Sequence, residues 1–193
     1  MGRFVDVLIS IFILVLLSPL FLVIGLLIKL DSKGPVFFIQ TRIGKNNKLF
    51  KFYKFRTMKI GTPNVATDKL CGSESYVTLI GKFLRKSSLD EFPQFFNTLK
   101  GDMTFVGPRP ALYNQYELKE MRTKVGVHLL LPGLTGWAQI NGRDNNDDYE
   151  KTKYDLYYLN HKSFGLNIKI LLKTVFKVLK AEGIVDDGHK KNL

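Results

Sequence analysis

Apolar and polar positions follow three different periods along the chain. The first stretch has none: from Val7 to Ile28 there are 22 residues without a charge, broken only by Ser10, Ser18, Pro19 and Gly25. As one helix this run would measure about 33 Å at 1.5 Å per residue, enough to cross a hydrocarbon core of roughly 30 Å. Pro19, near the middle, has no amide donor and disfavours helical geometry at Ser18, which predicts a bend there and two halves that each reach about one leaflet deep. A cleaved secretory leader fits less well. The apolar part is long, the amino end carries Arg3 as its one cation, and no small-residue cleavage site comes before Lys29-Leu30-Asp31.

The second pattern is that of strands. Residues Val36 to Thr41 and Leu49 to Arg56 are rich in β-branched and aromatic side chains, and Gly44-Lys45-Asn46-Asn47 between them is turn chemistry, so a β-hairpin is predicted. The run Phe50-Lys51-Phe52-Tyr53-Lys54-Phe55-Arg56 interleaves aromatics with cations. That pattern suits single-stranded nucleic acid, and it equally suits a strand with one buried and one solvated face.

The third pattern is helical. Val77, Ile80, Phe83 and Leu84 predict a short helix that leaves Arg85 close to the next turn, and Leu89, Phe92, Phe95, Phe96 and Leu99 form an apolar stripe. Ser88 with Glu91 three residues on has capping-box spacing, which predicts a helix start near Ser88, and Lys100 followed by Gly101 is a stop signal. Another helix is expected over Tyr113 to Lys124. At the carboxyl end Lys169, Lys173, Lys177 and Lys180 share one face while Ile170, Leu171, Val175, Val178 and Leu179 fill the rest, as in an interfacial basic helix or a core helix with a solvated lysine stripe. Residues 61–75 read as a polar excursion and 186–193 as a flexible tail.

Charge adds a side and a partner class. The 193 residues carry 29 Lys and Arg against 17 Asp and Glu, a net +12, which favours an anionic partner: nucleic acid, acidic lipid headgroups or a phosphorylated substrate. Lys33, Arg42, Lys45, Lys48, Lys51, Lys54, Arg56 and Lys59 have no acidic residue among them, and by the positive-inside rule this side of the apolar segment is cytoplasmic. Cys71 is the single cysteine, so no internal disulfide is possible, and it forms no metal-ligand cluster with the three histidines; His128 is expected to be packed or exposed rather than catalytic.

Chemistry concentrates between Ser88 and Pro110. In a first helical turn Asp90 would lie at the positive end of the helix dipole and stay ionised, and the free amides there can hold a phosphate. Gly107-Pro108-Arg109-Pro110 offers a guanidinium on a stiffened loop, a bidentate partner for phosphate oxygens. An ionised carboxylate beside such donors points to a metal-held phosphate site or to a carboxylate that attacks phosphorus; acidic residues in a first turn are also ordinary dipole decoration.

The stretch Ser-Leu-Asp-Glu-Phe-Pro-Gln-Phe-Phe-Asn-Thr-Leu-Lys-Gly-Asp-Met-Thr-Phe-Val-Gly-Pro-Arg-Pro, Ser88 to Pro110, resembles the signature block of the bacterial sugar transferases, the monotopic phosphoglycosyl transferases of the polyprenyl-phosphate pathway. Tyr53-Lys54-Phe55-Arg56-Thr57-Met58 and Leu131 to Arg143 are similar to further blocks of that family, with Leu131 where an arginine is usual and Asp144 where an asparagine is frequent. The resemblance implies an α+β catalytic domain, mostly helical with a β-hairpin, over 31–185. It implies a re-entrant membrane helix over 1–30, broken at Ser18-Pro19, and a tail over 186–193. The implied reaction moves a sugar-1-phosphate from a nucleotide (UDP) diphosphosugar to polyprenyl phosphate with release of UMP, a first membrane step of bacterial glycoconjugate and polysaccharide synthesis. Asp90 would be the nucleophile and Mg²⁺ ligand, and Glu91 would position or deprotonate the second substrate. Arg109, Arg85, Lys54 and Arg143, with Arg56 beside Lys54, would hold phosphates. The implied place is the cytoplasmic face of the inner membrane, among its lipids, with no nucleic acid partner. A membrane-tethered basic module for nucleic acid or anionic lipid is the alternative, and a phosphohydrolase would differ only in its acceptor.

Overall fold

The computed structural model describes residues 2–63, 73–142 and 147–180. Two helices open it, α1 (Arg3–Leu16) and α2 (Ser18–Asp31), bent by 60° across Leu17. Pro19 lies in the first turn of α2, where a missing amide costs nothing because first-turn donors have no partner within the helix. The expected break is therefore present, one residue earlier than Ser18. Among the described residues no single helix is long and apolar enough to cross a membrane, whereas the bent pair together is, by length and composition.

The predicted hairpin follows as β1 (Phe37–Ile43) and β2 (Leu49–Phe55), antiparallel with Gln40 opposite Phe52. Its turn is closed by Asn46 and Asn47 at φ of 57° and 58°, a left-handed geometry that asparagine tolerates. Phe52 and Phe55 are 2% and 1% exposed. They belong to the core, one on each side of the strand, and cannot stack bases.

The rest is α3 (Leu79–Lys86), a 3-10 turn over Leu89–Glu91, α4 (Gln94–Lys100), β3 (Thr104–Val106), α5 (Tyr116–Lys124), β4 (Gly133–Thr135), α6 (Trp137–Asn141), α7 (Asp148–His161) and α8 (Phe164–Leu179). The fold is α+β and mostly helical. The capping box at Ser88 does not form. Ser88 takes φ 57° to reverse the chain between α3 and α4, its side chain caps nothing, and α4 begins only after Pro93. Its stop is as expected, with the amide of Gly101, at φ 95°, donating to the carbonyls of Asn97 and Thr98. The helix expected from Tyr113 begins at Tyr116.

Two short strands and α7 come with no sequence forecast. Thr104 pairs with Gly133 and Val106 with Thr135 in parallel, which brings the Gly107-Pro108-Arg109-Pro110 loop against the second family-like block. The contact needs glycine: a Cβ on Gly136 would lie 2.1 Å from the Gly107 carbonyl oxygen.

Of three apolar clusters among the described residues, the bent pair feeds two, and Ile43, Ala111 and Leu118 form the third. Ile9 and Ile13 of α1 pack on Phe105, Val106, Ile140, Tyr158 and Ile170, while Ile24 and Ile28 of α2 join Phe55 and Leu84. Helix α8 combines features of its two expected forms, since Asn167 and Ile170 are buried while Ile168, Leu172, Val175 and Phe176 stay exposed.

Polar side chains then fix the ends of the pair. Helix ends leave carbonyls without partners. Arg3, at the start of α1, donates to the carbonyls of Thr98 and Leu99 at the end of α4. Arg56, 5% exposed, donates to the carbonyls of Lys33 at 2.8 Å and Ser32 at 2.7 Å just past α2. Asp31 accepts from the Ile80 amide at 3.1 Å, at the start of α3. Arg56 is thus a buried clamp, not the phosphate ligand its place beside Lys54 suggested. Replacing it by methionine strands several buried carbonyls, and Arg56→Met is expected to lower stability by about 3 kcal/mol, read as a fall in Tm of the detergent-solubilised protein. An unchanged Tm would show that water replaces the clamp.

Candidate active site

The 3-10 turn between α3 and α4 lifts Asp90 and Glu91 against the hairpin. Lys54 on β2 reaches both: its Nζ is 2.8 Å from Glu91 Oε1 and 3.5 Å from Asp90 Oδ2. Arg109, on the loop after β3, places Nη2 3.0 Å from the same Glu91 oxygen. Arg85 at the end of α3 acts on Asp90 through its charge, while its own donors go to Thr57 Oγ1 at 3.3 Å and Met58 Sδ at 3.5 Å. Lys54, Arg85, Asp90, Glu91 and Arg109 are thereby gathered in one place. Arg143, like Cys71, most of the 61–75 excursion and the tail, lies outside the described residues.

The two neighbouring carboxyls titrate in opposite directions. Asp90 is 7% exposed, and burial pushes it above the usual carboxylate range, with Glu91 adding to the rise while Lys54 and Arg85 pull back. For Glu91 burial also works upward, but Lys54 and Arg109, each both charged and hydrogen-bonded to it, overcome that and hold it well below the usual range. The cations around Asp90, not a helix dipole, are what favour its charged form, since it precedes α4.

Several supports of the Arg109 loop were not legible in sequence. Arg122 on α5 donates Nη1 to the Arg109 carbonyl at 2.9 Å and is itself held by buried Asp155 on α7, with Nε and Nη2 2.9 Å and 2.5 Å from Oδ2. Arg42 on β1 donates Nη1 to the Pro110 carbonyl at 2.9 Å. Strand alternation is the one signal that could have found Arg42, because Gln40 and Arg42 share a face and Gln40 pairs with Phe52. Beside this loop lies a small, open cleft lined by Ile43, Asn47, Pro108, Arg109, Val127 and His128 among others. His128 is half-buried there on a 3-10 turn.

Among the described residues no three potential ligands cluster to hold a metal ion. The carboxylates of the site are Asp90 and Glu91, and Glu91 Oε1 is already held by Lys54 and Arg109. Mg²⁺ is commonly held by one or two carboxylates with substrate phosphates and water completing the shell, and Asp90 with Glu91 supplies such a pair.

The site of this small α+β domain thus sets two adjacent carboxylates among several cations. The chain belongs to the bacterial sugar transferase family, whose profile matches residues 1–181. It is 38% identical over 187 residues to a UDP-N-acetylgalactosamine-undecaprenyl-phosphate N-acetylgalactosaminephosphotransferase of Aeromonas hydrophila, a match covering 94% of this chain and 44% of that protein. It is 42% identical over 179 residues to a UDP-glucose:undecaprenyl-phosphate glucose-1-phosphate transferase of Escherichia coli, covering 89% of this chain and 39% of that one. An uncharacterized sugar transferase of Bacillus subtilis, EpsL, is 41% identical over 190 residues, 97% of this chain and 91% of its own length. The chain thus spans less than half of the first two relatives and nearly all of the third.

Because Lys54 is the leading charge that pulls Asp90 down, Lys54→Met leaves burial less opposed and raises the Asp90 pKa further. Any process that needs the Asp90 carboxylate then loses its acid side at higher pH than in the wild type. A pH–rate profile of turnover, or of Asp90 modification by a carboxyl reagent, measures this; an unmoved acid limb would mean that Lys54 does not set the ionisation of Asp90.

Proposed function

We propose that this chain transfers a sugar-1-phosphate from a UDP-linked sugar to undecaprenyl or a similar polyprenyl phosphate in the membrane, releasing UMP. The observation that carries this reading is Asp90, a buried carboxylate of raised basicity that lies beside cations, in a chain matched along nearly its whole length by a family whose named relatives are undecaprenyl-phosphate sugar phosphotransferases. An Asp90 oxygen forms a bond to the sugar-bearing phosphorus while the bond from that phosphorus to the bridging diphosphate oxygen breaks, and the electron pair leaves on UMP. An oxygen of polyprenyl phosphate then attacks the same phosphorus, the bond to Asp90 breaks, and the carboxylate is restored. Splitting the transfer in two means that the soluble and lipid substrates need not be bound together.

The neighbours divide the work by charge. Burial makes Asp90 a more basic, hence more nucleophilic, oxygen once ionised, and Lys54 favours the ionised form. Glu91 is a poor proton acceptor because its pKa is depressed; its role is to orient Lys54 and Arg109 toward phosphate oxygens. Mg²⁺ held by Asp90 and Glu91 would neutralise charge on the diphosphate. The alternative of a basic module for nucleic acid is less well supported, because Phe52 and Phe55 are core residues.

The bent pair fits a re-entrant anchor in the cytoplasmic leaflet of the inner membrane. Arg3 and Arg56 tie its two ends to the same body, whereas a straight span would separate them by a bilayer. Large apolar side chains on both helices, Phe12, Val15, Leu22 and Leu26 among them, are exposed and suited to lipid.

Two measurements test these readings. Asp90→Asn keeps the shape of the side chain and is expected to cut UMP release from a panel of UDP-sugars by about 10³-fold or more, with Tm little changed. Near-normal turnover would remove Asp90 as nucleophile. For topology, Gly2→Cys in a Cys71→Ser background should resist a membrane-impermeant thiol reagent in intact cells and react after permeabilisation; labelling in intact cells would replace the re-entrant anchor by a straight span.

A further inference from the structure

Arg109 stands between two prolines, and neither Pro108 nor Pro110 has an amide to pair with. The path of this loop is held through its carbonyl oxygens instead, and donors reach them in succession from separate parts of the chain. Tyr158 Oη donates to the Val106 carbonyl at 3.1 Å, and the Gly133 amide to that of Pro108 at 2.9 Å. Arg122 Nη1 donates to the carbonyl of Arg109, Arg42 Nη1 to that of Pro110 and the Ile43 amide to that of Ala111, each at 2.9 Å. On one side the backbone itself closes in, since a Cβ on Gly107 would lie 2.4 Å from the Leu131 carbonyl oxygen.

Among these donors, Arg122 holds the residue whose side chain enters the site. It is 8% exposed, and Asp155, 1% exposed, fixes it from the other edge of the guanidinium, with Nε and Nη2 2.9 Å and 2.5 Å from Oδ2. That leaves Nη1 aimed at the Arg109 carbonyl. Asp155 and Tyr158 lie one turn apart on α7, so a single face of that helix serves both β3 and the loop. Lys54, Arg85 and Arg109 are the cations that act on Asp90 and Glu91, and Arg122 is not among them. A buried ion pair is a poor source of stability, since apolar side chains of similar volume often serve as well. Burial works against the charge of Asp155, and Arg122 is its chief counterweight. What a planar fork with one edge occupied supplies is direction. With its carbonyl 2.9 Å from Arg122 and its own Nη2 3.0 Å from Glu91 Oε1, Arg109 is fixed at both ends.

We infer that Arg122 and Asp155 are positioning residues: the pair fixes the Arg109 backbone so that its guanidinium is held on Glu91 and aimed at a substrate phosphate. The aim at phosphate rests on the proposed reaction; the hold on the loop does not. A displacement of about 1 Å by a residue far from the chemistry can slow a reaction by up to about 100-fold, which is the scale on which such a support matters.

The test replaces the pair by apolar side chains, Arg122→Met together with Asp155→Leu, in the full chain in detergent or nanodiscs. Arg122→Met alone leaves Asp155 buried without its partner and is expected to lower both Tm and turnover. The double variant should regain Tm but not turnover: kcat/KM for UMP release from a UDP-sugar is expected to stay about 10-fold below the wild type. In an Arg109→Lys background the same two substitutions should lower kcat/KM by less than about threefold, because the fork they aim is already gone. Full turnover of the stable double variant would make the pair merely structural. A 10-fold loss that persists in the Arg109→Lys background would mean that the pair acts elsewhere, and either result overturns the inference. Should the double variant not fold, Asp155→Asn takes its place, since it keeps the shape and an acceptor oxygen but weakens the hold on Arg122; it is expected to lower kcat/KM by about threefold with Tm little changed. A wild type that turns over no UDP-sugar would overturn the proposed reaction alone. Hydrogen exchange over residues 105–112 then decides the role of the pair, faster in the variant if the pair holds the loop and unchanged if it does not.

Discussion

Carbonyl groups at helix ends, left without partners in their own helices, determine how this molecule is joined. Arg56 takes those past the end of α2, and Arg3 reaches from the start of α1 to those at the end of α4. Each arginine satisfies groups that would be costly to bury bare, and each couples the apolar pair to an element next to the site. Arg56 directly follows β2, the strand of Lys54, and Asp31 caps α3, whose last turn carries Arg85. Movement of the pair would therefore be felt by the residues around Asp90. A protein whose proposed acceptor is a membrane lipid has reason to link its anchor and its site so directly.

Within the site, a difference in neighbours separates two adjacent carboxyls. Both are withdrawn from water, which works against their charge. Glu91 has two cations in hydrogen-bonding contact and remains strongly acidic, while Asp90 has Lys54 at 3.5 Å and Arg85 acting through its charge, too little to cancel burial. The result is one carboxylate bound firmly as an orienting group and one left basic and partly uncompensated. Adjacent carboxyls that differ in this way are suited to different tasks, and the proposed mechanism gives them different tasks.

The matched region of the longer relatives is the piece found here. It contains the bent pair, the hairpin and the carboxylate turn together, and the Bacillus subtilis relative has nearly the same extent. The bent pair and the carboxylate site thus lie within the segment matched to these proteins.

Local chemistry determined much of this from the sequence alone. Pro19 bends the apolar run because its ring cannot continue the preceding helix but fits the first turn of a new one, asparagines close the hairpin, Gly101 ends α4, and Asp90, Glu91 and Arg109 are close enough in sequence to be read as one block. The tertiary structure decided the rest. Lys54 and Arg56 look alike along the strand, yet one meets carboxylates and the other meets helix carbonyls, according to what packs on each side. Ser88 has capping-box spacing but is used to reverse the chain. The parallel pairing of β3 with β4, the Arg122–Asp155 support and the bond from Arg42 to the Pro110 carbonyl all join residues far apart in the chain. A charge or a backbone donor is defined by its residue type, but its partner, and with it its pKa and its role, is chosen only when distant segments meet and exclude water.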